Sequence, residues 1–137
     1  SDGNISTDVT AMITDATCAI GTILQGDASN DATTVLALKA ATAETTKPLA
    51  VALEATTVAN QKAAVRVNSI ALVLVNGTSA IGIGDSICAT TAGVGVISTT
   101  PDAAQQWAIG YALAPSTASG DLIPVLIDRH LIVKGTA

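Results

Sequence analysis

The chain has 137 residues, enough for one domain to bury roughly 68% of its unfolded surface in a core without disulfide staples. Only 12% of residues are charged, against about 25% in an ordinary globular domain, and the aromatic residues are Trp107 and Tyr111 alone. The longest clean apolar run spans 70–75, far short of the about 20 residues of a membrane-spanning helix, and the aromatic girdles of a membrane barrel are missing, so no membrane partner is expected. The net charge of −5 falls within residues 1–31, which hold Asp2, Asp8, Asp15, Asp27 and Asp31 and no Lys or Arg. Residues 32–137 balance six acidic side chains against six basic ones. With no basic stripe, nucleic-acid binding is excluded as well.

In residues 1–17, Ile5, Val9, Met12 and Ile13 fall on one face of a helical wheel. Gly3 and four Thr lower the helix propensity of this stretch. An extended arm that orders on a neighbour is the better reading, with a single β-barrel domain over 18–137. Strands are expected at 19–24 and 33–38, then an Ala- and Thr-rich loop at 40–46 ahead of Pro48. Further strands are expected at 49–53, 63–67 and 70–75, the last closed by the hairpin signal Asn76-Gly77. Gly84-Asp85 and Gly120-Asp121 are weaker turn signals. Short strands at 86–89 and 94–98 flank Ala92-Gly93. Residues 101–107 read as a helical turn, with Pro101 first and Asp102 beside its positive end. Strands at 109–113 and 122–127 follow, and 131–133 reads as a last edge strand.

Within this order lies an echo. Residues 48–67 recur weakly at 108–127: Pro48-Leu49-Ala50-Val51-Ala52-Leu53 aligns with Ala108-Ile109-Gly110-Tyr111-Ala112-Leu113, and Ala64-Val65-Arg66-Val67 with Pro124-Val125-Leu126-Ile127. Each copy is an apolar run, a polar break and a second apolar run, the pattern of a strand-turn-strand unit packed on one core. Many short strands without βαβ alternation indicate an all-β barrel or sandwich, and duplicated halves favour a closed barrel without free edges.

No chemistry-bearing constellation emerges. The acids outside the arm are scattered, and several sit beside Gly or Pro, as turn residues do. His130 is the only histidine, and no nucleophile–base pair is visible around it. Neither a metal-ligand cluster nor a phosphate-binding loop is present in the sequence, so no cofactor, metal or small-molecule substrate is expected and the protein reads as a non-enzyme. Trp107 and Tyr111 read as a core or interface plug. Together with Ile5, Val9, Met12 and Ile13 they are the candidate assembly contacts. Cys18 and Cys88 are the only cysteines. Two buried free thiols are the favoured reading, and one bridge is the alternative.

The order "AVAL", "VRV", "NG", "IGIGDSICATTAGVGV" and "WAIGYALAPSTASGDLIPVLI" resembles the small decoration, or cement, proteins of tailed-bacteriophage capsids. The resemblance covers roughly residues 18–128. It rests on Gly84-Asp85, Ala92-Gly93, Ile109-Gly110-Tyr111-Ala112-Leu113, and Gly120 with Val125 and Ile127. Two places depart from it: Ala50 stands where the family has Gly, and Asn60-Gln61-Lys62 stand where the family has Gly before its second strand. The resemblance implies a β-barrel or β-tulip domain that forms a homotrimer on the virion, outside the capsid, after synthesis in the host cytoplasm. It further implies that the major capsid protein is the partner, bridged by the trimer and its arm so that the expanded shell is stabilised. The arm is expected to be dispensable for folding. The alternative is a subunit of an extracellular fibre, pilus-like assembly or adhesin.

Overall fold

The computed structural model describes residues 8–29, 36–98 and 105–132. The described chain is almost entirely β: β1 (Asp8–Ile13), β2 (Ile23–Gly26), β3 (Ala37–Ala40), β4 (Ala50–Ala52), β5 (Gln61–Arg66), β6 (Ser69–Asn76), β7 (Ser86–Ala89), β8 (Gly95–Ile97), β9 (Gln106–Ala112) and β10 (Ser119–Ile132). These close into two five-stranded barrels, β1-β3-β2-β4-β5 and β10-β6-β8-β7-β9. The all-β, small-barrel expectation holds.

The two barrels are the same barrel twice. In the first, β1 runs parallel to β3 and antiparallel to β5, while β2 is antiparallel to β3 and β4. In the second, β6 runs parallel to β8 and antiparallel to β10, while β7 is antiparallel to β8 and β9. Registers agree pair by pair. Val51↔Arg66 and Ala52↔Val65 become Tyr111↔Leu126 and Ala112↔Val125. Val9↔Val65 and Ala11↔Ala63 become Ala71↔Val125 and Val73↔Ile123. The bridge Cys18↔Thr56 becomes Ile81↔Ser116. The strand-turn-strand echo is thus the part of a whole-barrel duplication that is still readable in sequence.

Alternation explains each core. Ala11, Ile13, Leu24, Leu38, Ala50, Ala52, Ala63 and Val65 fill the first barrel. Val73, Val75, Ile87, Ile109, Ala112, Ile123 and Val125 fill the second, and Ile23, Ala41 and Val51 of the first barrel join that cluster, so the seam between barrels is itself core. Backbone bonds cross the seam: Leu74 N–H to the Gly21 carbonyl at 2.9 Å, Gly93 N–H to Ala41 at 2.8 Å and Trp107 N–H to Glu44 at 2.9 Å. Arg129 adds two more, donating through its guanidinium to the carbonyls of Leu49 at 3.0 Å and Val67 at 2.7 Å.

Several expectations are corrected. The barrel domain expected over 18–137 is two barrels, and the first begins at Asp8. Residues 8–13, assigned to an arm, are β1, which pairs along its length with β5 and at its end with β3. The arm reading followed Gly3 and the Thr-rich composition, but within β1 the polar Asp8 and Thr10 are the outward half of an alternation whose inward half is Ala11 and Ile13. Residues 1–7 of the expected arm lie outside the described residues. Residues 106 and 107, placed at the end of a helical turn, open β9, and 131–132 continue β10 instead of forming a separate edge strand.

Candidate functional site

The duplication supplies an internal control for every surface position. On the outer face of β1 and β5 the directly paired residues are Asp8↔Arg66, Thr10↔Ala64 and Met12↔Lys62. Arg66 forks onto the Asp8 carboxylate, Nε to Oδ1 at 2.8 Å and Nη2 to Oδ2 at 3.2 Å, and its Nη1 reaches the Ile70 carbonyl at 2.7 Å. The hydrogen bond to Asp8 raises the guanidinium's already high pKa. Such a face is at home in water.

The same rows on β6 and β10 are Ile70↔Leu126, Leu72↔Pro124 and Leu74↔Leu122. Every one of these positions is aliphatic or proline. Ile70, Leu72, Leu122 and Leu126 are 45%, 49%, 45% and 40% exposed. Barrel closure does not require them, because the first barrel closes with ions and hydroxyls at the same places. A turn of the first barrel covers one end of the face: a Cβ on Gly21 would lie 2.6 Å from a Leu122 methyl and 2.7 Å from the Leu74 nitrogen. At the same end Asn76 pairs with Ser119, and the Arg66 fork bounds the other end. An apolar centre with a polar rim is the anatomy of a protein–protein interface.

Of the sequence-predicted contacts, Ile5 lies outside the described residues. Ile13 is fully buried in the first barrel and is no surface contact. Val9 is half-buried against the same core, and Met12 points outward, half-buried, from the opposite side of β1. Trp107 and Tyr111 are both half-buried on β9. The Lys47 ammonium stands 5.1 Å above the Trp107 ring. Tyr111 stacks on His130 with centroids 4.6 Å apart. The β6–β10 face was missed by residue, although its signal was in the sequence. An antiparallel strand with one wet face alternates, whereas 70–75 is unbroken apolar, which marks a strand with both faces covered.

His130 has a defined role in the fold. Its Nδ1 lies 2.6 Å from the Asp128 carbonyl oxygen, which can only accept, so Nδ1 carries the proton. In the neutral ring Nε2 then accepts, and the Ser86 hydroxyl donates to it at 2.9 Å. A serine–histidine contact is therefore present where the sequence showed none. It clamps β10 to β7 across Tyr111 of β9, just after the irregularity between Ile127 and His130. Among the described residues no group of three or more His, Cys, Asp or Glu could hold a metal ion. No helix among them is long and apolar enough to cross a membrane. Cys18 and Cys88 are both buried and not joined in a disulfide, and burial pushes the Cys18 thiol up.

No family model matches the chain, and no curated protein matches it in sequence. Among solved structures it is similar to the crystal structure of the head fibre gp8.5 N base of bacteriophage phi29, with a TM-score of 0.63 and 20% sequence identity over 88% of this chain and 92% of that one. The shared property is the fold, and at that coverage it takes in both barrels.

Proposed function

We propose that this protein is a structural component of a phage head: a decoration (cement) protein that binds the outside of the capsid as a homotrimer, bridges major capsid subunits and stabilises the expanded shell. The observation that carries this reading is the likeness, over nearly the whole chain, to the base of a phage head fibre. The sequence resemblance to capsid decoration proteins points the same way. So does the chemistry of the surface. A cement protein needs an area to bury, not an active site, and this chain has few long charged side chains, whose ordering costs up to ~2 kcal/mol each. Binding the expanded shell in preference to its precursor stabilises it by mass action, and several linked contacts per oligomer add avidity.

The matched structure also favours a second reading, in which the two barrels are the base on which a head fibre stands. Both readings predict docking on a shell. The test is co-sedimentation with expanded, undecorated capsids assembled from the major capsid protein of the same phage, followed by heating. Saturable binding and a raised capsid melting temperature are expected. Folded protein that leaves the capsids bare and their melting unchanged overturns the proposal.

A further inference from the structure

We infer that the outer face of β6 and β10 is where copies of this chain meet one another, and that the shell is held by other surfaces. The inference rests on the self-assembly included in the proposed function and deepens it by naming the face. Ile70, Leu72, Leu74, Leu122, Pro124 and Leu126 form three adjacent cross-strand rows without a charged or hydroxyl side chain. The registered equivalents on the first barrel are Asp8, Thr10, Met12, Lys62, Ala64 and Arg66. Of these two faces, matched in register, only the one on β6 and β10 is apolar throughout, so its cause is what covers that face, not how the barrel folds.

Three considerations commit the occupant to a second copy. The first is composition: permanent self-interfaces resemble a core cut in half, whereas surfaces that meet a partner later are no more apolar than the rest of the protein. A protein that adds to a preformed shell must stay dispersed beforehand, and an uncovered aliphatic face of this size is an aggregation hazard. Coverage therefore precedes docking. The second is charge: each copy carries −5, so copies approach with least repulsion through a neutral face. The third is continuity: the face begins in an interface already closed within the chain, where the Gly21 turn lies on Leu122 and its carbonyl accepts the Leu74 N–H. A second copy extends that seam over the remaining rows.

The test uses the duplication as its control. Leu72→Glu places a charge in the middle row, Leu126→Glu places one on the neighbouring strand, and Thr10→Glu places one at the register equivalent of Leu72. Mass is measured by light scattering at micromolar concentration, with circular dichroism to verify the fold. The expected result is a wild type and a Thr10→Glu variant of several chains, three in the proposed reading, with Leu72→Glu and Leu126→Glu as folded single chains. A monomeric wild type that still binds capsids overturns the inference and leaves the proposed function standing. Charged variants that keep the wild-type mass but lose capsid binding also overturn it, since the face would then belong to the shell. A monomeric wild type that binds no capsid overturns both.

Discussion

The two barrels share topology and register but not surface, and the difference separates what the fold needs from what the molecule's use adds. Inward positions keep their character across the duplication: Ala11 and Val73, Ile13 and Val75, Ala63 and Ile123, Val65 and Val125, and Ala52 and Ala112 are all buried and apolar. Outward positions diverge, with Asp8 against Ile70 and Lys62 against Leu122. Each pair of equivalents shows which side chain each barrel accommodates in its own surroundings. Predictions that exploit this can be ranked by size.

The largest effect is expected from removing residues 1–17. An arm would leave the domain folded. Loss of β1, however, unpairs β5 along its six residues and opens the first barrel, exposing a core that continues into the second through Ile23, Ala41 and Val51. The expected outcome is a chain without a cooperative thermal transition by circular dichroism. A truncated chain that melts like the full one would return those residues to an arm.

Next come Gly110 and Ala50, equivalents in register. A Cβ on Gly110 would overlap the Leu126 carbonyl oxygen, because β9 lies tight against β10 just ahead of its irregularity. Ala50 is fully buried in the first barrel and fits there. Gly110→Ala is expected to cost about 3 kcal/mol through overpacking, and Ala50→Gly about 1 kcal/mol through lost packing and added chain entropy. Urea unfolding of the two variants gives the ranking, and equal costs would mean that β9 is free to move away.

Thr56 and Ser116 are equivalents with opposite expected signs. Ser116 Oγ donates to the Asp121 carboxylate at 2.8 Å, so Ser116→Ala should destabilise by about 1–2 kcal/mol. Thr56 Oγ1 is buried with no hydrogen-bond partner among the described residues. Thr56→Val keeps the shape and removes an unsatisfied hydroxyl, so it should stabilise by about 1 kcal/mol. Loss of stability on Thr56→Val would show that a water satisfies the hydroxyl.

A linked pair comes next. The Ala64 N–H is satisfied by the Glu54 carboxylate at 2.6 Å, outside the ladder. At the equivalent place the second barrel has Pro124, which has no N–H, and Ala114 in place of Glu54. The two changes compensate each other. Glu54→Ala alone should cost about 0.5–1 kcal/mol, and adding Ala64→Pro should recover it, since the backbone there already suits proline in the second barrel. A double variant less stable than the single one in urea would mean that the two backbones differ.

How much of this was legible in the sequence follows from the same comparison. The echo of 48–67 in 108–127 was visible because β4 and β5 share with β9 and β10 one loop length and one apolar rhythm. The rest of the duplication was hidden, because β1 and β6 agree only at inward positions and their outward residues, Asp8 and Thr10 against Ile70 and Leu72, dominate any linear reading. The acidic, Thr-rich opening therefore looked like a separate arm. As for the candidate site, the aromatic pair drew attention by its rarity, while six ordinary aliphatic residues acquired meaning only once paired across strands.

The smallest effect concerns a left-handed position that holds Gly120 in the second barrel and Asn60 in the first. At the start of β10, where pairing is irregular between Ser119 and Asp121, Gly120 has φ +91; at the equivalent place, just ahead of β5, Asn60 has φ +62. Asn is the side chain best suited to the left-handed region, because its short amide can bond locally, whereas most L-residues cost roughly 1–2 kcal/mol there. The departure from the glycine pattern thus keeps the backbone geometry. Asn60→Gly should change stability by only a few tenths of a kcal/mol, the spread seen among residues that accept this conformation. Gly120→Ala should cost about 1 kcal/mol, and through the backbone alone, since nothing lies within 4 Å of the added Cβ. Asn60→Ala should match Gly120→Ala in urea unfolding if the two turns are equivalent in energy as they are in register. A cost at Asn60 well above that at Gly120 would show that the amide itself holds the first turn, and that the first barrel replaced a glycine with a bond.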